Sequence, residues 1–165
     1  MKFADTSCRL ARLNPDDEFH AAATASSGKL EEIVVTTMWV LTELGDALHR
    51  GRNRATFVRF LDTLGGHEDF EVVPASAELF QRGVEFFRAR PDKEWSLTDC
   101  ISFLVMTEKG ISEALTTDRH FKQAGFFRCS DRSCGFSSPN YEPREAIPVA
   151  RPRMWRAPRK LIQAL

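Results

Sequence analysis

No apolar run in this 165-residue chain approaches a membrane span. Segments such as Ile33-Val34-Val35 and Met38 to Leu41 fall far below the ~18 residues that a spanning helix needs. An excess of charge of one sign is missing too. The 23 Lys and Arg balance 23 Asp and Glu, which excludes binding to nucleic acid by bulk charge alone, so any such binding has to be local. Cysteine is scarce, and Cys8, Cys100, Cys129 and Cys134 contain no paired Cys-x-x-Cys arrangement to complete a zinc site. They read as free thiols. Met1-Lys2 runs directly into Phe3-Ala4-Asp5 without an apolar signal region, so the cytoplasm is the expected compartment. What is present is an ordinary globular composition, 42% hydrophobic and 28% charged, which predicts a packed core. The length suits one domain with an extension.

Net neutrality conceals an asymmetry. Residues 129–165 hold seven Lys and Arg against three Asp and Glu, leaving 16 against 20 in residues 1–128. The same C-terminal stretch carries five of the eight prolines, Pro139, Pro143, Pro148, Pro152 and Pro158, and proline lacks the amide and the φ freedom that helix and strand interiors require. The expectation is therefore a folded domain over residues 1–128 and a flexible Pro/Arg-rich extension over 129–165.

Within the domain, short β-type runs alternate with helical ones, the pattern of a mostly parallel sheet with helices on its faces. Strands are expected at Lys2 to Ala4, Ile33 to Thr37, Phe70 to Val73 and Glu113 to Thr116, with a fifth at Phe126-Phe127. Helices are expected over residues 18–27, 38–50, 53–64, 76–88 and 97–109, punctuated by Gly51, Gly65-Gly66, Pro91 and Gly110. Phe80, Phe86 and Phe87 read as core.

Four acidic residues stand at informative places: Asp5 after the first strand, Glu43 in the helix after the second, Asp99 in the first turn of the helix from Ser96, and Asp118 after the fourth strand. A parallel sheet gathers the carboxyl ends of its strands on one edge, where ligand crevices form, so residues distant in sequence can converge there. Each acid also has a plain structural role open to it. Asp5 and Asp118 precede helix starts and can cap them, and Ser96-Leu97-Thr98-Asp99 fits a capping box. Glu43 lies on the edge of the apolar stripe around Val40, Leu44 and Leu48, where a solvated surface glutamate is the alternative. Asp99 stands out because it falls on a nearly all-apolar cylinder with Leu97, Ile101, Phe103, Leu104, Val105 and Met106. A carboxylate there has to be paired, hydrogen-bonded or metal-bound, and the sequence offers no obvious cationic partner beside it. Clustered carboxylates repel one another unless a divalent cation neutralises them, and hard oxygen ligands suit Mg²⁺ or Mn²⁺. Such a site activates water for in-line attack on phosphorus.

Phe3-Ala4-Asp5-Thr6-Ser7, Thr36-Thr37 through Thr42-Glu43, Ser96-Leu97-Thr98-Asp99-Cys100, and Ala114-Leu115-Thr116-Thr117-Asp118-Arg119-His120-Phe121 with Gly125-Phe126 together resemble the ordered motifs of PIN-domain proteins, in particular VapC-type toxin ribonucleases of toxin–antitoxin pairs. The resemblance covers about residues 1–128. It implies a three-layer α/β/α fold, a Mg²⁺- or Mn²⁺-dependent endoribonuclease with Asp5, Glu43, Asp99 and Asp118 as catalytic and metal-binding residues, homodimerisation, and neutralisation by a small cognate antitoxin. Thr6, Thr117, Arg9 and Arg119 lie near these acids and are candidates to position RNA phosphates, against ordinary turn and solvated-helix roles. The arginines at 50, 52, 54 and 59 suit RNA or an acidic partner. His20, His49, His67 and His120 lack metal-ligand spacing, and His120 reads as a local cap or packing residue rather than a general base. A catalytically inactive PIN-like RNA-binding or scaffold module is the alternative, disfavoured because all four acids are present. A receiver domain is a third reading, disfavoured by Ala4 before Asp5 and by Phe126-Phe127-Arg128 where a lysine is wanted.

Overall fold

The computed structural model describes residues 1–7, 33–65 and 68–128. The helix expected at 18–27, Arg9, and the extension 129–165 lie outside the described residues. Five strands, β1 (Lys2–Ala4), β2 (Val34–Thr37), β3 (Phe70–Val73), β4 (Glu113–Leu115) and β5 (Phe127–Arg128), form one sheet in the order β3-β2-β1-β4-β5. Every pairing is parallel. The helices are α1 (Met38–Ala47), α2 (Gly51–Gly65), α3 (Ala77–Ala89), α4 (Leu97–Glu108) and the short α5 (Arg119–Gln123).

β2 shows why these residues form central strands. Its β-branched run Val34-Val35-Thr36-Thr37 is buried throughout, as a parallel strand covered on both faces requires. The two buried hydroxyls are not wasted on apolar surroundings: Thr36 donates to the Ala4 carbonyl at 2.9 Å, and Thr37 caps α1 by accepting from the Val40 amide at 3.2 Å. In register, Phe3 stands opposite Val35 on one side and Ala114 on the other. The strand order reverses its direction of growth between β1 and β4, and in open α/β sheets the crevice beyond the strand ends at such a point is where ligands bind.

The core sits around α4, whose residues from Asp99 to Met106 are all buried; a helix apolar on every side belongs inside a fold. An aromatic chain ties the neighbouring elements to it. Phe103 meets Trp95 edge-on at 5.1 Å and Phe121 edge-on at 5.0 Å, Phe121 reaches Phe3 at 6.1 Å, and Phe86 packs on Trp95 at 5.8 Å. Edge-to-face pairs of this kind add about 0.5–1.5 kcal/mol beyond the area they bury. α3 approaches α4 at Gly83, where a Cβ would lie 2.4 Å from Ile101 Cγ1, so only glycine fits this crossing. Arg82 bonds Glu108 across the same pair of helices. Just beyond the end of α4, Gly110 has a φ of 65°, the left-handed conformation that glycine adopts without steric cost.

Three details differ from the sequence reading. The helix expected to run to residue 50 stops at Ala47, and a new one starts at Gly51, whose φ is 55°. β5 falls one residue later than expected: Phe126 is buried in the core with its amide bonded to the Phe121 carbonyl at 2.9 Å, and Phe127 is the residue that joins the sheet. Phe80 and Phe87 are exposed, at 44% and 49%, while Phe86 is buried. α3 buries only the stripe Leu79, Gly83 and Phe86, and Phe80 and Phe87, seven positions apart, lie together on another face of the helix.

Candidate active site

Asp5 follows β1 directly and is buried. Its amide continues the sheet by bonding the Leu115 carbonyl at 3.2 Å, which fixes the backbone that carries the carboxylate. Oδ2 accepts from Thr116 Oγ1 at 2.9 Å and from Ser7 Oγ at 3.0 Å. Burial pushes this carboxyl above the ordinary carboxylate range; the Thr116 and Ser7 hydroxyls draw it back, and the charge of Asp99 adds to the rise. Ser7 is a hub: its hydroxyl also lies 3.0 Å from Thr116 Oγ1 and accepts from the Thr117 amide at 3.0 Å. β1 and β4 are thereby stitched together just beyond their last paired residues.

Asp99 performs the capping-box role that its spacing allowed. Ser96 Oγ accepts from the Asp99 amide at 3.0 Å, and Asp99 Oδ2 accepts from the Ser96 amide at 2.8 Å. The same Oδ2 lies 3.2 Å from His120 Nδ1. Its carboxyl is also held high, by burial first and then by the charge of Asp118, with Ser96 and His120 opposing. Asp118 caps α5 through the His120 amide at 2.8 Å, while its Oδ2 stands 3.3 Å from His120 Nδ1. Capping and site geometry are therefore the same fact at both positions: each helix start sets a carboxylate oxygen beside His120 Nδ1. Asp99, Asp118 and His120 each offer one ligand atom, all within 4.8 Å of one another.

Asp99 and Asp118 are brought together around His120, and Asp5 lies close enough to Asp99 for the charge of Asp99 to add to the rise of its carboxyl. Glu43 joins them indirectly. It is exposed on α1, and Thr6 Oγ1 donates to its Oε2 at 2.8 Å, so the residue after Asp5 tethers it. Thr117 contributes backbone, its amide to Ser7 and its carbonyl to Arg128 Nη1 at 3.1 Å. Arg119 is exposed and bonds Glu94 at 3.1 Å, a surface pair worth little to stability. Sequence reasoning missed Ser7, Thr116 and above all His120, which is the partner of Asp99 that the sequence did not reveal. Ser7 and Thr116 are separated by 109 residues, and only the parallel pairing of β1 with β4 makes them neighbours. For His120 a signal existed in its position two residues after a helix-capping aspartate. Cys100, beside Asp99, is a free buried thiol whose pKa burial pushes up to about 12, so it stays protonated and inert. Among the described residues no helix is long and apolar enough to cross a membrane.

Carboxylates at the switch point of a five-stranded parallel sheet, from the ends of β1 and β4 and the start of α4, fit the PIN class of α/β domains. Residues 2–127 match the PIN domain, and the chain belongs to that family. The 23S rRNA-specific endonuclease VapC20 of Mycobacterium tuberculosis is 30% identical over 131 residues, spanning 76% of this chain and 95% of VapC20. The crystal structure of VapC20, described as a sarcin-ricin loop cleaving toxin, superposes with a TM-score of 0.69 at 28% identity, covering 76% of this chain and 96% of the other. FitAcB from Neisseria gonorrhoeae shares the fold with a TM-score of 0.56 at 17% identity, over 78% of this chain and 96% of that one.

Proposed function

We propose that this chain is a metal-dependent endoribonuclease toxin of the cytoplasm that hydrolyses phosphodiesters in RNA, with Asp5, Glu43, Asp99 and Asp118 as its catalytic acids. What supports this is the grouping of Asp99 and Asp118 around His120 with Asp5 beside them, burial and the charge of Asp99 raising the carboxyl of Asp5 and burial and the charge of Asp118 raising that of Asp99. Uncompensated, that arrangement costs stability, and a divalent cation relieves it. The donor set, carboxylate oxygens fixed by hydroxyls and helix caps, fits Mg²⁺ or Mn²⁺. When bound there, such an ion would supply charge neutralisation at the phosphate and a more acidic water.

The chain's own residues supply the preorganisation. Ser7 and Thr116 fix the rotamer of Asp5, the Ser96 cap fixes Asp99, and Thr6 holds Glu43 against the turn that follows Asp5. Thr6, Thr117, Arg9 and Arg119 are assigned to positioning the RNA backbone. The similarity to VapC20 makes 23S rRNA and its sarcin-ricin loop the first substrates to test. A homodimer and a small neutralising antitoxin, encoded next to this gene, complete the proposal.

The test is incubation of the full chain with 23S rRNA or a sarcin-ricin loop oligonucleotide in Mg²⁺ or Mn²⁺. Discrete fragments are expected. Asp5→Asn, Glu43→Gln, Asp99→Asn and Asp118→Asn should each lower the rate by at least about tenfold and relieve growth inhibition. Undiminished cleavage in excess EDTA, or by Asp99→Asn, refutes the proposal.

A further inference from the structure

His120 is placed by two independent anchors. Its amide is held by Asp118 at the start of α5, and the next residue, Phe121, is fully buried against Phe103 and Phe3. The ring cannot drift far from this root. Its Nδ1 then lies 3.2 Å from Asp99 Oδ2 and 3.3 Å from Asp118 Oδ2, with the side chain 17% exposed. A packing histidine would need no polar partner, and a capping histidine would need one. This nitrogen faces two carboxylates from different elements.

Ligand atoms on neighbouring positions of an octahedral ion with bonds of ~2.1 Å stand about 3.0 Å apart, close to the separations seen around His120 Nδ1. We propose that His120 Nδ1 is itself a ligand of the ion held by Asp99 and Asp118, giving the site a nitrogen donor that favours Mn²⁺ over Mg²⁺. As a ligand the ring would offer the Nδ1 lone pair and carry its proton on Nε2. Mg²⁺ gives up its waters reluctantly and is bound by oxygen, whereas first-row transition ions accept imidazole readily. This rests on the metal-dependent reading above and adds a residue to it.

The experiment uses the full chain without RNA. Pulsed EPR of the Mn²⁺-loaded protein should show the hyperfine coupling of a directly bound nitrogen, and His120→Ala and His120→Gln should abolish it. Calorimetric titration with each ion should show the preference for Mn²⁺ over Mg²⁺ falling by roughly tenfold in His120→Ala, mainly through weaker Mn²⁺ binding. Mn²⁺ bound by oxygen alone in the wild type, or an unchanged preference in His120→Ala, overturns the assignment while leaving the nuclease reading intact. Failure of the wild type to bind either ion overturns both. Should a variant not fold, the wild-type spectrum alone decides.

Discussion

Asp99 does two jobs whose energetic signs are opposite, and substitution can separate them. As a helix cap it stabilises: losing such a cap costs about 0.5–2 kcal/mol. As a buried charge near Asp5 and Asp118 it destabilises the metal-free protein, because burial and the neighbouring carboxylate both favour its neutral form. Asparagine keeps an oxygen to accept from the Ser96 amide, which now bonds at 2.8 Å, and removes the charge. Metal-free Asp99→Asn should therefore melt at or above the wild-type midpoint. Asp99→Ala loses the cap as well as the charge and should fall below Asp99→Asn by about 0.5–2 kcal/mol, or about 1–8 °C for a chain of this size. Ser96→Ala loses one half of the box but keeps the carboxylate, so its midpoint drops while its response to metal persists. At an ion concentration of about 100 Kd the wild type gains about 2.7 kcal/mol, and both Asp99 variants lose most of that gain. Differential scanning fluorimetry with and without Mn²⁺ reads all of these. If metal-free Asp99→Asn melts as low as Asp99→Ala, the carboxylate is a net stabiliser and the strained-site reasoning is wrong.

The raised carboxyls of Asp5 and Asp99 also set a pH dependence. A group whose folded pKa lies above its unfolded value contributes stability below the unfolded value and loses it as pH rises through the folded one. The metal-free protein should thus gain stability from these groups as pH falls from 7 toward the ordinary carboxylate value of 3.8, and denaturant midpoints for Asp5→Asn and Asp99→Asn should show a flatter profile; equal slopes in wild type and variants would contradict this. Gly83→Ala gains up to about 1 kcal/mol of helix propensity but drives a Cβ to 2.4 Å from Ile101 Cγ1, and overpacking of about 1–3 kcal/mol outweighs it; urea denaturation should show net destabilisation, and a higher midpoint would mean that α3 and α4 part freely. Ending the chain at Arg128 should leave the circular-dichroism melt and Mn²⁺ affinity unchanged; an unfolded truncation would place part of residues 129–165 in the structural core.

The layered fold was legible because its signals are local. The β-branched Val34-Val35-Thr36-Thr37 run, the alternation of strand and helix, and the apolar cylinder of α4 each announce themselves within a dozen residues. Asp99 was conspicuous for the same reason, as a charge where the local pattern is apolar. The Phe80 and Phe87 expectation failed because hydrophobicity marks a residue as buriable, while burial is decided by which stripe of α3 meets α4, and the close approach at Gly83 chooses that stripe.

The groups that hold the acids in place were illegible because they are products of topology. Ser7 reaches Thr116 and the Thr117 amide only after β1 and β4 pair in parallel, and His120 reaches Asp99 only after α5 folds back beside the start of α4. Acids can be read from a linear motif since chemistry demands their residue type. Their supports are satisfied by any donor at the right place, so serine, threonine or histidine at a helix start carries no mark of the role until the sheet is assembled. The crevice follows directly from this division. A strand order that changes direction between β1 and β4 leaves a gap beyond the strand ends, the turns that leave those strands cap a helix with Asp118 or tether Glu43 through Thr6, and capping sets Asp99 and Asp118 beside His120. The fold thus gathers charge that burial disfavours, at Asp5 as at Asp99, and His120 is the group that eases the cost at Asp99.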